Sequence, residues 1–379
     1  MSLDPDACAL PAPDAVPAGT LLGAEPTIGR PSAAPTLADL TTLGVGGPAR
    51  RVVAAADAAA LVEAVGSADA AGEPVLLVGG GSNLLVGDAG FDGTVVLVAS
   101  RGVLVEAADA CGGVMITVAA GHPWDELVAL TVERGWRGVE ALSGIPGSTG
   151  ATPVQNVGAY GQEVAQTLAR VRTWDRQERR IVTFASAECG FGYRDSRFKR
   201  ERFAGGPRYV VLEVTFQLVI SDLGAPVRFG ELARALGVEA GGRAPLARVR
   251  EEVLRLRAGK GMVLDARDAD TRSAGSFFTN PVLPRALADA LPAEAPRFEV
   301  GPDLVKTSAA WLIEHAGFPK GYGLPGPASL STKHTLALTN RGGATAADVL
   351  DLARTVRDGV QTAFGVRLEP EPVLVGCAW

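Results

Sequence analysis

Apolar residues recur along this chain with two distinct periods. Val349, Leu352, Ala353, Val356 and Val360 share one face of a helix, which Thr345-x-x-Asp348 opens with a reciprocal capping pattern. Shorter apolar runs bounded by Pro and Gly predict strands: Arg51–Ala54, Val75–Val78, Val95–Val98, Val103–Glu106 and Val114–Ala119. Val171–Trp174, Arg180–Phe184 and Tyr209–Leu218 continue the β-rich stretch. Helices are expected over Asp57–Val65, Pro123–Arg134, Leu246–Arg257 and Ser308–His315, with a further one starting at Pro284. A closing strand is expected over Val366–Val375. Strands and helices are segregated rather than arranged as a βαβ array, so the class is α+β in at least two domains. Residues 1–35 are rich in Ala and Pro without periodicity and read as a disordered leader.

Composition narrows the partners. Of 379 residues, 47% are hydrophobic and 21% charged, which suits a globular core. The formal charge is −6 with no basic run, so nucleic acid is not an expected partner. No apolar stretch approaches the ~20 residues of a membrane span, and no secretory signal is evident, so a cytoplasmic protein is expected. The cysteines (Cys8, Cys111, Cys189, Cys377) form no CxxC pair, and His122, His315 and His334 have no metal-ligand spacing. No metal is expected.

Two glycine-rich segments carry the candidate chemistry. Gly79, Gly80 and Gly81 follow the Val75–Val78 run directly, with Ser82, Asn83 and Leu84 after them. Glycine lets backbone amides approach a diphosphate closely, although the same pattern can be a tight turn between strands. The spacing is not G-x-G-x-x-G, which disfavours a Rossmann site. The segment from Gly144 to Gly161 adds Pro146, Gly147, Thr149, Gly150, Pro153, Asn156, Gly158, Ala159 and Tyr160. So long an uncharged loop inside a compact domain is usually functional, and this one would meet a dinucleotide through neutral hydrogen bonds.

These loops, with TLGVGGPA at residues 42–49, resemble the flavin-binding half of the UDP-N-acetylenolpyruvoylglucosamine reductase family. The likeness continues in order through CGFGYRDSRFK (189–199), GSFFTNP (275–281), STKHTLALTN (331–340) and LEPEPVLVG (368–376). It implies a two-subdomain FAD-binding domain of the PCMH/vanillyl-alcohol-oxidase type over residues 36–222, dividing near residue 100. An α/β substrate domain over 223–365 and a C-terminal strand over 366–379 complete the expected organisation. The implied activity is NADPH-dependent reduction, through non-covalent FAD, of the enolpyruvyl ether of UDP-N-acetylglucosamine to UDP-N-acetylmuramate. Hydride goes from flavin N5 to C3 and a proton to C2. A monomer is implied.

The resemblance also implies site residues. Arg194 and Glu371 face the charge that develops on the substrate carboxylate, and Ser276 is the proton donor. Thr42, Gly44 and the two glycine segments bind FAD. Tyr193, Phe229, Lys260, Asn280 and His334 line the substrate site. Read without it, Arg194 could be a surface ion pair, Ser276 a turn residue, and Lys260 and His334 solvated side chains. Glu369 and Glu371 would share a strand face, and only the motif selects Glu371.

Phe229 stands where part of the family has tyrosine, which predicts retained closure over substrate with altered affinity. Pro372 stands where the family usually has Val, so the last strand is expected at an edge or ending there. An FAD oxidase acting on an alcohol or lactone is the alternative activity, with His122 and Cys111 the nearest candidates for covalent flavin attachment. A non-catalytic binding protein of the same fold is a further alternative.

Overall fold

A computed structural model describes residues 16–23, 35–109 and 112–379. Cys8, Cys111 and most of the expected leader lie outside them. The chain forms two compact units that interleave in sequence. Of the described residues, one unit takes 16–23, 51–80 and 93–257, and the other takes 35–50, 81–92 and 258–379. Residues 35–50 and 81–92, expected with the N-terminal domain, thus group with the C-terminal residues, and 223–257 group with the first unit. Hydrogen bonding explains the regrouping at one point: Leu84–Val86 pairs in parallel with Val373–Val375.

The first unit is built on an antiparallel sheet. Its strand order is Leu21–Leu22, Val103–Asp109, Gly113–Ala119, Tyr209–Ile220, Leu168–Asp175 and Arg180–Ala185, with Trp136–Arg137 pairing the end of the long strand. Alternation produces this sheet. Val103, Val105, Val114, Ile116 and Val118 are fully buried, while the intervening Leu104 is exposed. Trp124, Leu127 and Val128 of the Trp124–Glu133 helix close over that inner face. Within the expected leader, Leu21–Leu22 is ordered as an edge strand because its backbone pairs with Val103 and Leu104.

A smaller sheet in the same unit has the order Ala49–Ala55, Phe91–Val98, Val75–Val78, the last two parallel. It is covered by the Ala58–Ala70 helix, whose Leu61, Val65 and Ala68 pack with Val75, Val96, Val210 and Leu212. Asp57 caps this helix by accepting from the Ala60 amide at 2.8 Å.

The second unit is organised around the Ala346–Phe364 helix. Thr345 and Asp348 form the expected capping box, and the predicted apolar stripe is buried. Asp88 reinforces the start, accepting from the Ala346 and Ala347 amides at 2.8 and 3.0 Å. The helix packs with a sheet of Ser273–Ser276, Ala337–Asn340 and Ala328–Leu330. The expected strand Val366–Val375 is shorter than the sequence suggests. Val373–Val375 pairs with Leu84–Val86, and upstream of it only an isolated bridge between Pro370 and Phe278 forms, because Pro370 and Pro372 have no amide to give a ladder.

In the first unit, Arg176 is fully buried and holds Asp69 through both Nε (3.0 Å) and Nη2 (2.6 Å). Asp69→Asn leaves that guanidinium with half its compensation. The expected cost is about 3 kcal/mol of unfolding free energy, read from urea denaturation at neutral pH; a loss below about 0.5 kcal/mol would mean the pair is solvated.

Candidate functional site

In the first unit the two glycine-rich segments touch. Val75–Val78 ends at Gly79 and Gly80, and a Cβ on Gly80 would stand 2.7 Å from the Gly147 Cα. A Cβ on Gly79 would overlap the Ser148 hydroxyl. No side chain fits in that gap, so the sequence there is fixed by backbone-to-backbone packing. Among the described residues, no acceptor meets the amides of Gly79, Gly80 or Gly147. Gly79 and Gly80 are also exposed. Amides in this state fit an anionic diphosphate.

The longer segment is more ordered than a structureless loop. Thr149–Ala151 forms a helical turn, and Gly158–Ala159 pairs with Gln162–Glu163. Thr149 is buried and donates both its amide and its hydroxyl to the His122 carbonyl, at 2.8 and 2.9 Å. Asn156, also buried, gives Nδ2 to Glu163 (2.8 Å) and to the Gly192 carbonyl (3.1 Å), while its Oδ1 accepts from the Ala165 amide. These two side chains therefore shape the loop, and a cofactor contact from Asn156 falls to its backbone. Pro153 and Gly150 are buried, whereas Pro146, Gly158, Ala159 and Tyr160 are half-buried.

Arg194 is half-buried on a tight turn closed by Gly192 and Asp195. Its guanidinium donates to the carbonyls of Gly158 (2.8 Å) and Asn156 (3.4 Å) and lies 5.6 Å from the centroid of the exposed Tyr193 ring. Asn156, Tyr160 and Arg194 all adopt positive φ, at 46°, 50° and 53°. Left-handed backbone at a tyrosine and an arginine costs energy and persists only where surrounding contacts impose it. Phe229 is 45% exposed and meets Tyr160 edge-on, with ring centroids 5.4 Å apart.

The second unit brings Ser276 and Glu371 together. Ser276 ends the Ser273–Ser276 strand, and the carbonyl of the next residue, Phe277, accepts from the Glu371 amide at 2.8 Å. The two candidate glutamates are now distinguished. Glu369 is exposed and pairs with Arg367 at 3.3 Å, whereas Glu371 is half-buried. Asn83 bridges this segment to the first glycine loop, donating to the Glu371 carbonyl at 3.4 Å and accepting from the Val373 amide at 2.9 Å. Thr42 donates to the Ser273 carbonyl at 2.6 Å, and Asn340 holds the Gly44 carbonyl at 3.0 Å. Gly81 has φ +62°, and a Cβ there would overlap the Leu40 carbonyl. Ser82 is half-buried and Leu84 buried.

Asn280 accepts from the Ala309 amide at 3.0 Å and so supports the Ala309–His315 helix start. Lys260 and His334 are half-buried. His334 lies in a segment anchored by Asp270, which is 4% exposed. The Asp270 carboxylate accepts from the Thr332 amide (2.8 Å), the Thr332 hydroxyl (2.5 Å) and Arg341 (2.9 Å). Burial works against its ionisation, but the Thr332 hydrogen bonds and the Arg341 charge prevail and hold its pKa below the usual carboxylate range.

Sequence reasoning passed over the buried charges of the first unit, Glu140 and Arg257 among them. Glu140 accepts from the amides of Gly138 (2.7 Å) and Ala225 (2.6 Å) and from Gln162 (3.0 Å). Arg257 is 9% exposed, with Tyr160, Asp125 and Arg194 in its electrostatic field. Nothing in the local sequence separates either from a surface residue. His122 is 4% exposed, and burial lowers its pKa, so it is neutral. The Cys189 thiol is pushed up to about 12 by burial and stays protonated.

Residues 49–183 match an FAD binding domain family, and residues 267–375 match the C-terminal domain of UDP-N-acetylenolpyruvoylglucosamine reductase. The UDP-N-acetylenolpyruvoylglucosamine reductase of Cutibacterium acnes is 56% identical over 90% of this chain and 89% of its own. That of Streptomyces coelicolor is 56% identical over the same shares. The crystal structure of UDP-N-acetylenolpyruvylglucosamine reductase (MurB) from Thermus caldophilus is 28% identical. It superposes with a TM-score of 0.61, covering 90% of this chain and 98% of that one.

Gly80→Ala forces the two loops apart and is expected to cost about 1–3 kcal/mol of stability; an unchanged urea midpoint would show that they do not meet this closely. Asp270, with its depressed folded pKa, contributes stability above the unfolded carboxylate pKa of about 3.9 that is lost as pH falls through the folded value. Asp270→Asn should therefore unfold at lower urea at pH 7 and show a smaller further loss on acidification below about pH 4. An equal acid-induced loss in the variant would assign the effect elsewhere.

Proposed function

This chain belongs to the UDP-N-acetylenolpyruvoylglucosamine reductase family, and from that premise we propose how its residues carry the reaction. The protein is an FAD-dependent oxidoreductase that reduces the enolpyruvyl ether of UDP-N-acetylglucosamine, a step in peptidoglycan precursor synthesis. FAD, when bound, supplies hydride chemistry, with NADPH as its reductant.

The exposed amides of Gly79 and Gly80, with Gly147, receive the cofactor diphosphate. Thr42, Gly44, Gly81, Ser82, Asn83 and Leu84 are the further FAD-binding candidates. Reduction of the double bond pushes negative charge into the substrate carboxylate. Arg194, whose guanidinium donates to the Asn156 and Gly158 carbonyls, is the cation for that site. Glu371 completes the polar environment of the developing enol, and Ser276 gives its hydroxyl proton to C2. The observation that carries this reading is the hydrogen bond from the Glu371 amide to Phe277, which joins the GSFF and EPEP segments.

Tyr193, Phe229, Lys260, Asn280 and His334 complete the substrate site, with the Lys260 ammonium suited to the substrate diphosphate. Phe229 offers an exposed aromatic edge for stacking without a hydroxyl. No helix among the described residues is long and apolar enough to cross a membrane. A cytoplasmic monomer handling a small nucleotide sugar, without nucleic acid or metal, is the corresponding cellular picture.

Ser276→Ala separates the half-reactions. Under anaerobic stopped flow, NADPH should reduce the variant flavin at the normal rate. Its reoxidation by the enolpyruvyl substrate should slow by about 10²–10⁴-fold. Reoxidation at the unaltered rate would remove Ser276 from the proton-donor role.

A further inference from the structure

The Trp124–Glu133 helix grips the start of the longer glycine segment at three points in the first unit. The Trp124 amide donates to the Gly147 carbonyl (3.0 Å), and the Trp124 indole donates to the Leu142 carbonyl (3.1 Å). Asp125 Oδ1 accepts from the Gly144 amide at 2.6 Å. Gly144 has φ +71°, so this bond fixes a residue whose backbone would otherwise be free to choose. The same carboxylate is gripped by Arg250 of the Leu246–Gly259 helix, Nη1 to Oδ1 at 2.6 Å and Nη2 to Oδ2 at 2.9 Å. The Arg250 side chain is 18% exposed and that of Asp125 39%, so the fork is partly screened and its grip lies in its two-pronged geometry.

The same helix carries a second buried arginine. Seven residues on from Arg250, about two turns along nearly the same face, Arg257 lies in the field of Asp125, Tyr160 and Arg194. Burial disfavours ionised Asp125, yet the bonds from Arg250 and Gly144, with the charges of Arg250 and Arg257, hold its pKa below the usual carboxylate range. The clamp is thus charged throughout the neutral range. Its output is the position of Gly144, three residues before the Gly147–Ser148 backbone that packs on Gly79 and Gly80.

We infer that Asp125 and Arg250 are positioning residues for the cofactor: their fork holds Gly144 so that the Gly147 amide is aligned to receive the flavin diphosphate. This rests on the FAD reading given above. A fork that served only stability would leave FAD affinity unchanged once the protein is folded.

The test is titration of the flavin-stripped full chain with FAD, followed by quenching of flavin fluorescence. Asp125→Asn should raise the FAD Kd about tenfold or more, the scale of one charged hydrogen bond. Arg250→Ala should do the same, and Arg250→Lys, which keeps the charge but not the fork, should fall between it and the wild type. Asp69→Asn, which breaks a buried pair of the same unit away from the loop, should lower the melting temperature and leave the FAD Kd unchanged. A Kd within twofold of wild type in both Asp125→Asn and Arg250→Ala would overturn the inference, as would an equal weakening by Asp69→Asn. If Asp125→Asn does not fold, the Arg250 pair decides in the same way. A wild-type chain that takes up no FAD would instead overturn the reading on which the inference stands.

Discussion

The contact between Gly80 and Gly147 constrains more of this protein than any other single feature. It requires the Val75–Val78 strand to end without side chains, and it requires a facing loop that also presents bare backbone. The rest of the first unit holds that facing loop still. His122 anchors Thr149, Ala120 accepts from the Gly150 amide at 2.7 Å, and Trp124 binds Gly147. The consequence is a row of amides left for a ligand rather than spent on the fold. A diphosphate can be bound without any cation, which accounts for the absence of Lys and Arg from both glycine segments.

A second constraint is local backbone strain. Asn156, Tyr160 and Arg194 carry left-handed backbone within one connected patch, where Arg194 bonds the carbonyls of Asn156 and Gly158. Each costs energy that the turn at Gly192–Asp195 and the donor of Lys199 to the Arg194 carbonyl help to offset. In the second unit the aim of Glu371 is set differently. Pro370 and Pro372 flank that residue, its amide donates to the Phe277 carbonyl and its own carbonyl accepts from Asn83.

Much of this was legible in the sequence where the relevant forces are local. The capping box at Thr345, the stripe beginning at Val349 and the alternation around Val103 and Ile116 need only neighbours a few residues away. The glycine segments stood out in the sequence, but a tight turn between strands would look the same until the Gly80–Gly147 contact is seen. Long-range pairing was not. Nothing near Leu84 announces Val373 as its partner, so the interleaving of the two units escaped a linear reading. Burial of polar groups was equally hidden: Asn156 reads as a ligand donor until its amide is found bonded to Glu163 and Gly192. Glu369 and Glu371 were equivalent by parity, and their difference in exposure shows only in the structure.

The central claim is that this chain holds FAD and passes its electrons to an enolpyruvyl sugar nucleotide. An anaerobic absorbance titration of the purified wild-type protein tests it most directly. The account predicts a flavin spectrum that bleaches on adding NADPH and returns when UDP-N-acetylenolpyruvoylglucosamine is added, with no oxygen present. A reduced flavin that ignores this substrate and reoxidises only in air would contradict it.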